Sequence, residues 1–134
     1  MSSHHRILYV DDNQDSCELV SMLLRYSDLN SEVVIANSAE SAIRLMEDQL
    51  FDFYILDFAL PRMSGVELCH QIRKSNSKTP ILFFTAMTRP GARDEGIAAG
   101  ANEYLVKPND LDRLTKTVEQ LLDENQLSSC LVSD

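Results

Sequence analysis

The sequence predicts an α/β fold, a doubly wound parallel sheet with helices on both faces. Three observations predict it. Short apolar runs alternate with helix-period segments five times along the chain, the pattern of βα units joined by right-handed crossovers. Arg6–Val10, Phe53–Leu56 and Ile81–Phe84 show little polar alternation, as strands buried on both faces do. The length, 134 residues, suits one domain. A chain of this size buries roughly two-thirds of its unfolded surface and needs no disulfide or metal staple to fold.

The elements follow in order. Arg6–Val10 is apolar and partly β-branched, and polar residues follow it, so it reads as the first strand. Asp12 and Asn13 offer N-caps for a helix on which Cys17, Val20, Leu23 and Leu24 recur at three- and four-residue steps. Glu32–Ala36 is a second short strand, polar at its start as suits a sheet edge. Asn37 and Ser38 cap the next helix, and Glu40 lies three residues after Asn37 as in a capping box. Ala39, Ala42, Ile43 and Met46 form its apolar face. Phe53–Leu56 is the third strand, and a loop with Pro61 and Gly65 leads to a helix over Val66–Lys74 with Leu68, Cys69 and Ile72 inward. Pro80 opens the fourth strand, Ile81–Thr85. Pro90-Gly91 breaks the chain before a shorter helix, Ala92–Ala99, and Gly100 stands at its C-terminal end. Glu103–Val106 is the fifth strand. Asp110 caps a last helix with Leu111, Leu114, Val118, Leu121 and Leu122 on one face. From Asn125 the chain is polar and small. The boundaries are therefore one domain over residues 6–124, with flexible ends over residues 1–5 and 125–134.

Composition excludes several function classes. Lys and Arg number 12 against 21 Asp and Glu, a net charge of −9. That balance opposes unaided binding to nucleic acid or to an anionic membrane, since both need a basic footprint. The longest apolar runs fall far short of the ~20 residues that span a bilayer, and no apolar signal stretch precedes Ile7. Cys17, Cys69 and Cys130 are odd in number and widely spaced, which fits neither a disulfide framework nor a zinc site. His4, His5 and His70 lack metal-ligand spacing. The expectation is a cytoplasmic protein.

Open parallel sheets bind ligands outside the carboxyl ends of their strands. Asp11 and Asp12 follow the first strand, Asp57 the third, Thr85 ends the fourth and Lys107 follows the fifth. Each has an ordinary reading alone: an N-cap pair, a turn residue, a β-branched strand residue, a solvated lysine. Together they collect three carboxylates, a hydroxyl and an ammonium on one rim. Three converging acids repel one another, and a hard divalent ion such as Mg²⁺ relieves them while keeping room for a phosphate oxygen. Three carboxylates, a divalent ion and an ammonium sum to zero formal charge. Such a site can accept a phosphoryl group, and a carboxylate is a competent nucleophile for one.

Four motifs carry a family resemblance: Ile7-Leu8-Tyr9-Val10-Asp11-Asp12, Leu56-Asp57-Phe58-Ala59-Leu60-Pro61-Arg62-Met63-Ser64-Gly65, Phe84-Thr85-Ala86, and Gly100-Ala101-Asn102-Glu103-Tyr104-Leu105-Val106-Lys107-Pro108. In this order and spacing, from Arg6 to Leu122, the chain resembles the receiver domain of two-component response regulators. The resemblance implies a flavodoxin-like sheet of order 2-1-3-4-5. It implies Asp57 as phosphoacceptor, with Mg²⁺ or Mn²⁺ held by Asp12 directly, Asp11 through water, Asp57 itself and the backbone carbonyl of Ala59. It implies Thr85 and Lys107 on the phosphoryl oxygens, a cis Lys107–Pro108 peptide, and Tyr104 as a switch aromatic that turns inward beside the small Ala86 when Thr85 moves. Ala59 departs from the Met or polar residue common two positions after the acceptor. With Met87 it flanks the line of water attack, so these two side chains are expected to set the phosphate lifetime.

The resemblance further implies a sensor histidine kinase or a histidine phosphotransfer protein as donor, met by the first helix, where Ser16 and Leu19 are candidates. It implies a phosphoacceptor switch that catalyses only its own phosphorylation and dephosphorylation, rather than an enzyme acting on other substrates. A downstream protein target or linked output domain would meet the face of Arg93–Ala99, Glu103–Val106 and Asp110–Leu122, with a phosphorylation-dependent dimer left open. The residues favour a stand-alone or kinase-linked regulator. A dehalogenase-type phosphatase wants Asp-x-Asp after the first strand, where Asn13 stands. A flavin module wants a phosphate loop there, which Asp11 and Asp12 oppose. A phosphate-independent interaction module remains as the alternative, although acceptor, acid pair and lysine are all present.

Overall fold

The computed structural model describes the backbone of residues 4–132 and the side chains of residues 4–125. The ends expected to be flexible fall partly outside these residues, as does the Cys130 side chain. The strands are β1 (His5–Val10), β2 (Ser31–Ala36), β3 (Phe53–Leu56), β4 (Ile81–Thr85) and β5 (Glu103–Val106). The helices are α1 (Gln14–Arg25), α2 (Ala39–Asp48), α3 (Gly65–Ser75), α4 (Ala92–Ala98) and α5 (Leu114–Val132). All pairings are parallel and the order is β2-β1-β3-β4-β5. β2 lies at an edge and is the least buried strand, as its polar start suggests.

Period-two alternation sends each strand's side chains to two cores. Leu8, Val10, Tyr54, Leu56, Ile81 and Phe83 pack with Ala39, Ala42, Leu68, Cys69 and Ile72 on the face of α2, α3 and α4. Ile7, Tyr9, Phe53, Ile55, Leu82, Phe84 and Leu105 pack with Cys17, Val20, Leu24, Leu114, Val118 and Leu122 on the face of α1 and α5. β1 and β3 end level, with Val10 paired to Leu56. The chain reverses its direction of winding between these two strands, so the residues after them face one crevice.

The helix ends correct three readings. Ser38 rather than Asn37 caps α2, accepting from Ser41 N at 3.1 Å, and Glu40 reaches across to Arg62 instead of closing a box. A capping box does form at α3, where Ser64 and Glu67 satisfy each other's backbone N–H groups at 3.2 and 3.1 Å. Asp110 does not cap the last helix through its side chain. A 3-10 turn over Leu111–Arg113 intervenes, and the Asp110 carboxylate accepts from Val106 N at 2.9 Å instead. α5 continues past Asn125, where the sequence places a tail. Gly100, at φ 121°, closes α4 with bonds from Gly100 N to Ile97 O and from Ala101 N to Gly96 O, the paired return bonds of a Schellman end.

Candidate functional site

The carboxyl ends of β1, β3, β4 and β5 build one acidic pocket. Asp11 extends β1 by bonding through its N–H to Ala36 O at 3.0 Å, and Asp57 extends β3 by bonding to Val10 O at 2.9 Å. Oxygen atoms of Asp11, Asp12 and Asp57 lie within 4.8 Å of one another. Asp11 has no exposed surface and Asp57 is 8% exposed, whereas Asp12 is exposed. Three carboxylate oxygens at this spacing, one of them open to solvent, fit a hard oxygen-seeking divalent ion.

The structure brings Thr85 and Lys107 to the same carboxylate. Thr85 Oγ1 donates to Asp57 Oδ1 at 2.6 Å, and Ala59 N donates to the same oxygen at 3.3 Å. Lys107 Nζ stands 3.5 Å from Asp57 Oδ2 and 2.5 Å from Asp11 Oδ2. The Lys107–Pro108 peptide is cis, and Lys107 N bonds to Thr85 O at 2.8 Å. Burial pushes the Asp57 carboxyl above its usual range; the Thr85 hydroxyl and the Lys107 ammonium pull it back, and Asp11 pushes it up again. Gly65 closes the back of the site. A Cβ there would collide with the Asp57 backbone carbonyl, so the start of α3 approaches the acidic loop only as glycine.

Tyr104 is buried, with its ring 5.8 Å from Phe83 and 6.2 Å from Phe58. Its hydroxyl donates to Met87 O at 2.7 Å, two residues beyond Thr85, and Met87 N in turn donates to Thr85 Oγ1 at 3.2 Å. The ring is thus linked to the pocket through one short loop. Arg89 lies over the Phe58 ring at 5.8 Å. Arg93 donates to Tyr104 O at 3.2 Å and pairs with Glu103 at 3.3 Å.

Two pocket residues escaped the sequence reading of the site. Tyr9, fully buried on β1, donates its hydroxyl to Asp11 Oδ2 at 2.5 Å. Burial first, and then that bond, drive its phenol far above the usual range. The signal was present: Tyr9 carries the polar atom in an apolar strand and lies two residues before Asp11, hence on the same face. Ser16, expected on the partner-facing helix, also receives Lys107 Nζ at 3.2 Å. Leu19 is 43% exposed and is not part of the core. Cys17 lies beneath the acids, where burial and then Asp11 raise its thiol to about 11, so it is not a thiolate at neutral pH.

Comparison with known proteins agrees with this geometry. The family model described as response regulator receiver domain matches residues 7–119. The chain belongs to the response regulator receiver family. This receiver is 35% identical over 116 residues to the transcriptional regulatory protein ZraR of Salmonella typhimurium, a match covering 87% of this chain and 26% of that protein. It is 40% identical over 104 residues to the transcriptional regulatory protein YrkP of Bacillus subtilis, covering 78% of this chain and 43% of the other. The receiver thus spans less than half the length of either relative. Among solved structures, a CheY-like receiver domain protein from Methanospirillum hungatei superposes with a TM-score of 0.86 at 27% identity, covering 94% of this chain and 99% of that one. The response regulator TrrA from Thermotoga maritima, solved in complex with Mg²⁺-BeF, superposes with a TM-score of 0.78 at 32% identity, covering 87% and 98%. Among the described residues no helix is long and apolar enough to cross a membrane.

Proposed function

We propose that this receiver works in the cytoplasm and takes a phosphoryl group on Asp57 from a sensor histidine kinase or a histidine phosphotransfer protein. The observation that carries the reading is the convergence of Thr85 Oγ1 and Lys107 Nζ on the two oxygens of the one Asp57 carboxylate, beside two further acids. An Asp57 oxygen attacks the phosphorus. A new O–P bond forms as the P–N bond to the donor imidazole breaks, and the imidazole leaves carrying its proton. Thr85 donates to one phosphoryl oxygen, and Lys107 pairs with another. Asp12, Asp57, the Ala59 carbonyl and, through water, Asp11 would hold Mg²⁺ or Mn²⁺, which would supply charge neutralisation of the phosphoryl oxygens. The receiver then catalyses its own dephosphorylation, with Ala59 and Met87 flanking the attacking water.

The output reading follows from the link between Thr85, Met87 and Tyr104. A phosphoryl group that draws in Thr85 Oγ1 reorganises the Met87 loop and so biases the ring and the face of α4, β5 and α5. That is a shift between pre-existing states. A groove of about 320 Å³ on this face, lined by Met87, Arg89, Arg93, Tyr104 and Arg113, is where a downstream protein, a linked output domain or a second receiver would dock. The test of the phosphoacceptor reading is intact mass after incubation with acetyl phosphate, with Mg²⁺ and with chelator. One phosphoryl adduct that needs the ion supports the reading; an unmodified, folded protein refutes it in favour of a phosphate-independent module.

A further inference from the structure

Asp11 has no exposed surface, so its oxygens must find their donors inside the protein. Asn13 N donates to Oδ1 at 2.9 Å. Two donors share Oδ2: the Tyr9 hydroxyl and the Lys107 ammonium, each at 2.5 Å. Lys107 has two other acceptors, Ser16 Oγ at 3.2 Å and Asp57 Oδ2 at 3.5 Å. Its three N–H groups thus face three acceptors, with the closest grip on Asp11.

Under the phosphoacceptor reading, on which this inference rests, Lys107 must serve oxygens that appear on the Asp57 side. Moving there loosens its hold on Asp11 Oδ2. A buried carboxylate oxygen stripped of its last protein donor carries a desolvation penalty, and that penalty would hold the lysine back. We propose that Tyr9 is a positioning residue whose hydroxyl keeps a donor on Asp11 Oδ2 and so releases Lys107 to the phosphoryl group on Asp57. The phenol is well suited to this. Its ring is fixed in the core between the sheet and α1 with α5, so the hydroxyl stays in place when the flexible lysine moves. A Tyr hydroxyl that merely needed a buried partner would affect stability alone and would be indifferent to Lys107.

The test is a cycle of Tyr9→Phe with Lys107→Ala, each assayed for phosphorylation by acetyl phosphate at saturating Mg²⁺. Phe keeps the ring volume, and Asp11 keeps two donors, so the variant should fold. Mg²⁺ affinity by calorimetry reports on the integrity of its pocket independently of reaction. The expected result is a rate lowered about tenfold by Tyr9→Phe, the scale of one hydrogen bond to a charged group, with Mg²⁺ affinity within roughly threefold of the parent protein. In the Lys107→Ala background the same substitution should change the rate less than about twofold. A second readout is beryllofluoride binding with Mg²⁺, measured by calorimetry and expected to weaken in parallel. An unchanged rate in Tyr9→Phe overturns the inference and leaves the phosphoacceptor reading standing. So does an equal loss in both backgrounds, or a Mg²⁺ affinity that falls with the rate. A parent protein that takes no phosphoryl group overturns the reading itself, and the inference with it.

Discussion

Replacing Asp57 by Asn should make the ion-free protein more stable, although it removes the proposed reactive group. Asp57 carries its charge within 4.8 Å of carboxylate oxygens of both Asp11 and Asp12. At an effective dielectric of about 20, each such pair repels by roughly 3.5 kcal/mol, while Lys107 at 3.5 Å returns roughly 4.7 kcal/mol. The two repulsions exceed the attraction by roughly 2 kcal/mol, and because Asp12 is exposed and screened the net relief falls below about 1 kcal/mol. Asn keeps an acceptor for Thr85 Oγ1, and Lys107 keeps Asp11. The sign follows from linkage. Burial raises the Asp57 carboxyl above its unfolded value, so its ionised form weakens the fold at neutral pH. That deficit fades as pH falls through the raised value and disappears below the unfolded one. Urea unfolding in chelator at low salt should therefore show Asp57→Asn ahead of the parent at pH 7, with the gap closing toward pH 3. Added Mg²⁺ should stabilise the parent more than the variant. A variant equal to or weaker than the parent in chelator at pH 7 would refute the charge accounting.

Three further predictions concern the elements around the pocket. Tyr104→Phe removes the donor to Met87 O and should cost about 1 kcal/mol by urea unfolding, with amide exchange at residues 87–89 quickened. Gly100→Ala forces a Cβ into the side chain of Arg73 at φ 121°; Arg73 there donates to Gly100 O, Asn76 O, Thr79 O and Asn102 Oδ1. Thermal unfolding should show a loss of about 2–3 kcal/mol, and an unchanged midpoint would contradict the described contact. Ser64→Ala opens the capping box of α3 and should cost about 1 kcal/mol in the same assay.

The strands were legible almost to the residue. Phe53–Leu56, Ile81–Thr85 and Glu103–Val106 match the sequence reading at both ends, because turn residues such as Pro80 punctuate apolar runs buried on both faces. Helix starts were less legible. Asn37 and Ser38 are both good caps, and the choice fell to Ser38 through backbone geometry that composition does not encode. Asp110 has the right type for a cap, yet its carboxylate is taken by Val106 N, a partner set by the turn after β5. The Ser64–Glu67 box is written in the sequence, but Pro61 and Gly65 on either side of Ser64 give the stronger signal of a loop. In the site, the three acids, Thr85 and Lys107 were found because strand ends converge by topology. Tyr9 was missed because its apolar body belongs to the strand pattern while its hydroxyl belongs to the pocket.

The phosphoacceptor claim is tested most directly by trapping the acyl phosphate chemically. The protein would be treated with acetyl phosphate and Mg²⁺, reduced with borohydride, digested and sequenced by mass spectrometry. Reduction of an aspartyl phosphate leaves homoserine at the modified position, so the account predicts homoserine at residue 57 and unmodified aspartate at residues 11 and 12. Homoserine at residue 11 or 12, or an aspartate retained at all three in folded protein, would contradict it.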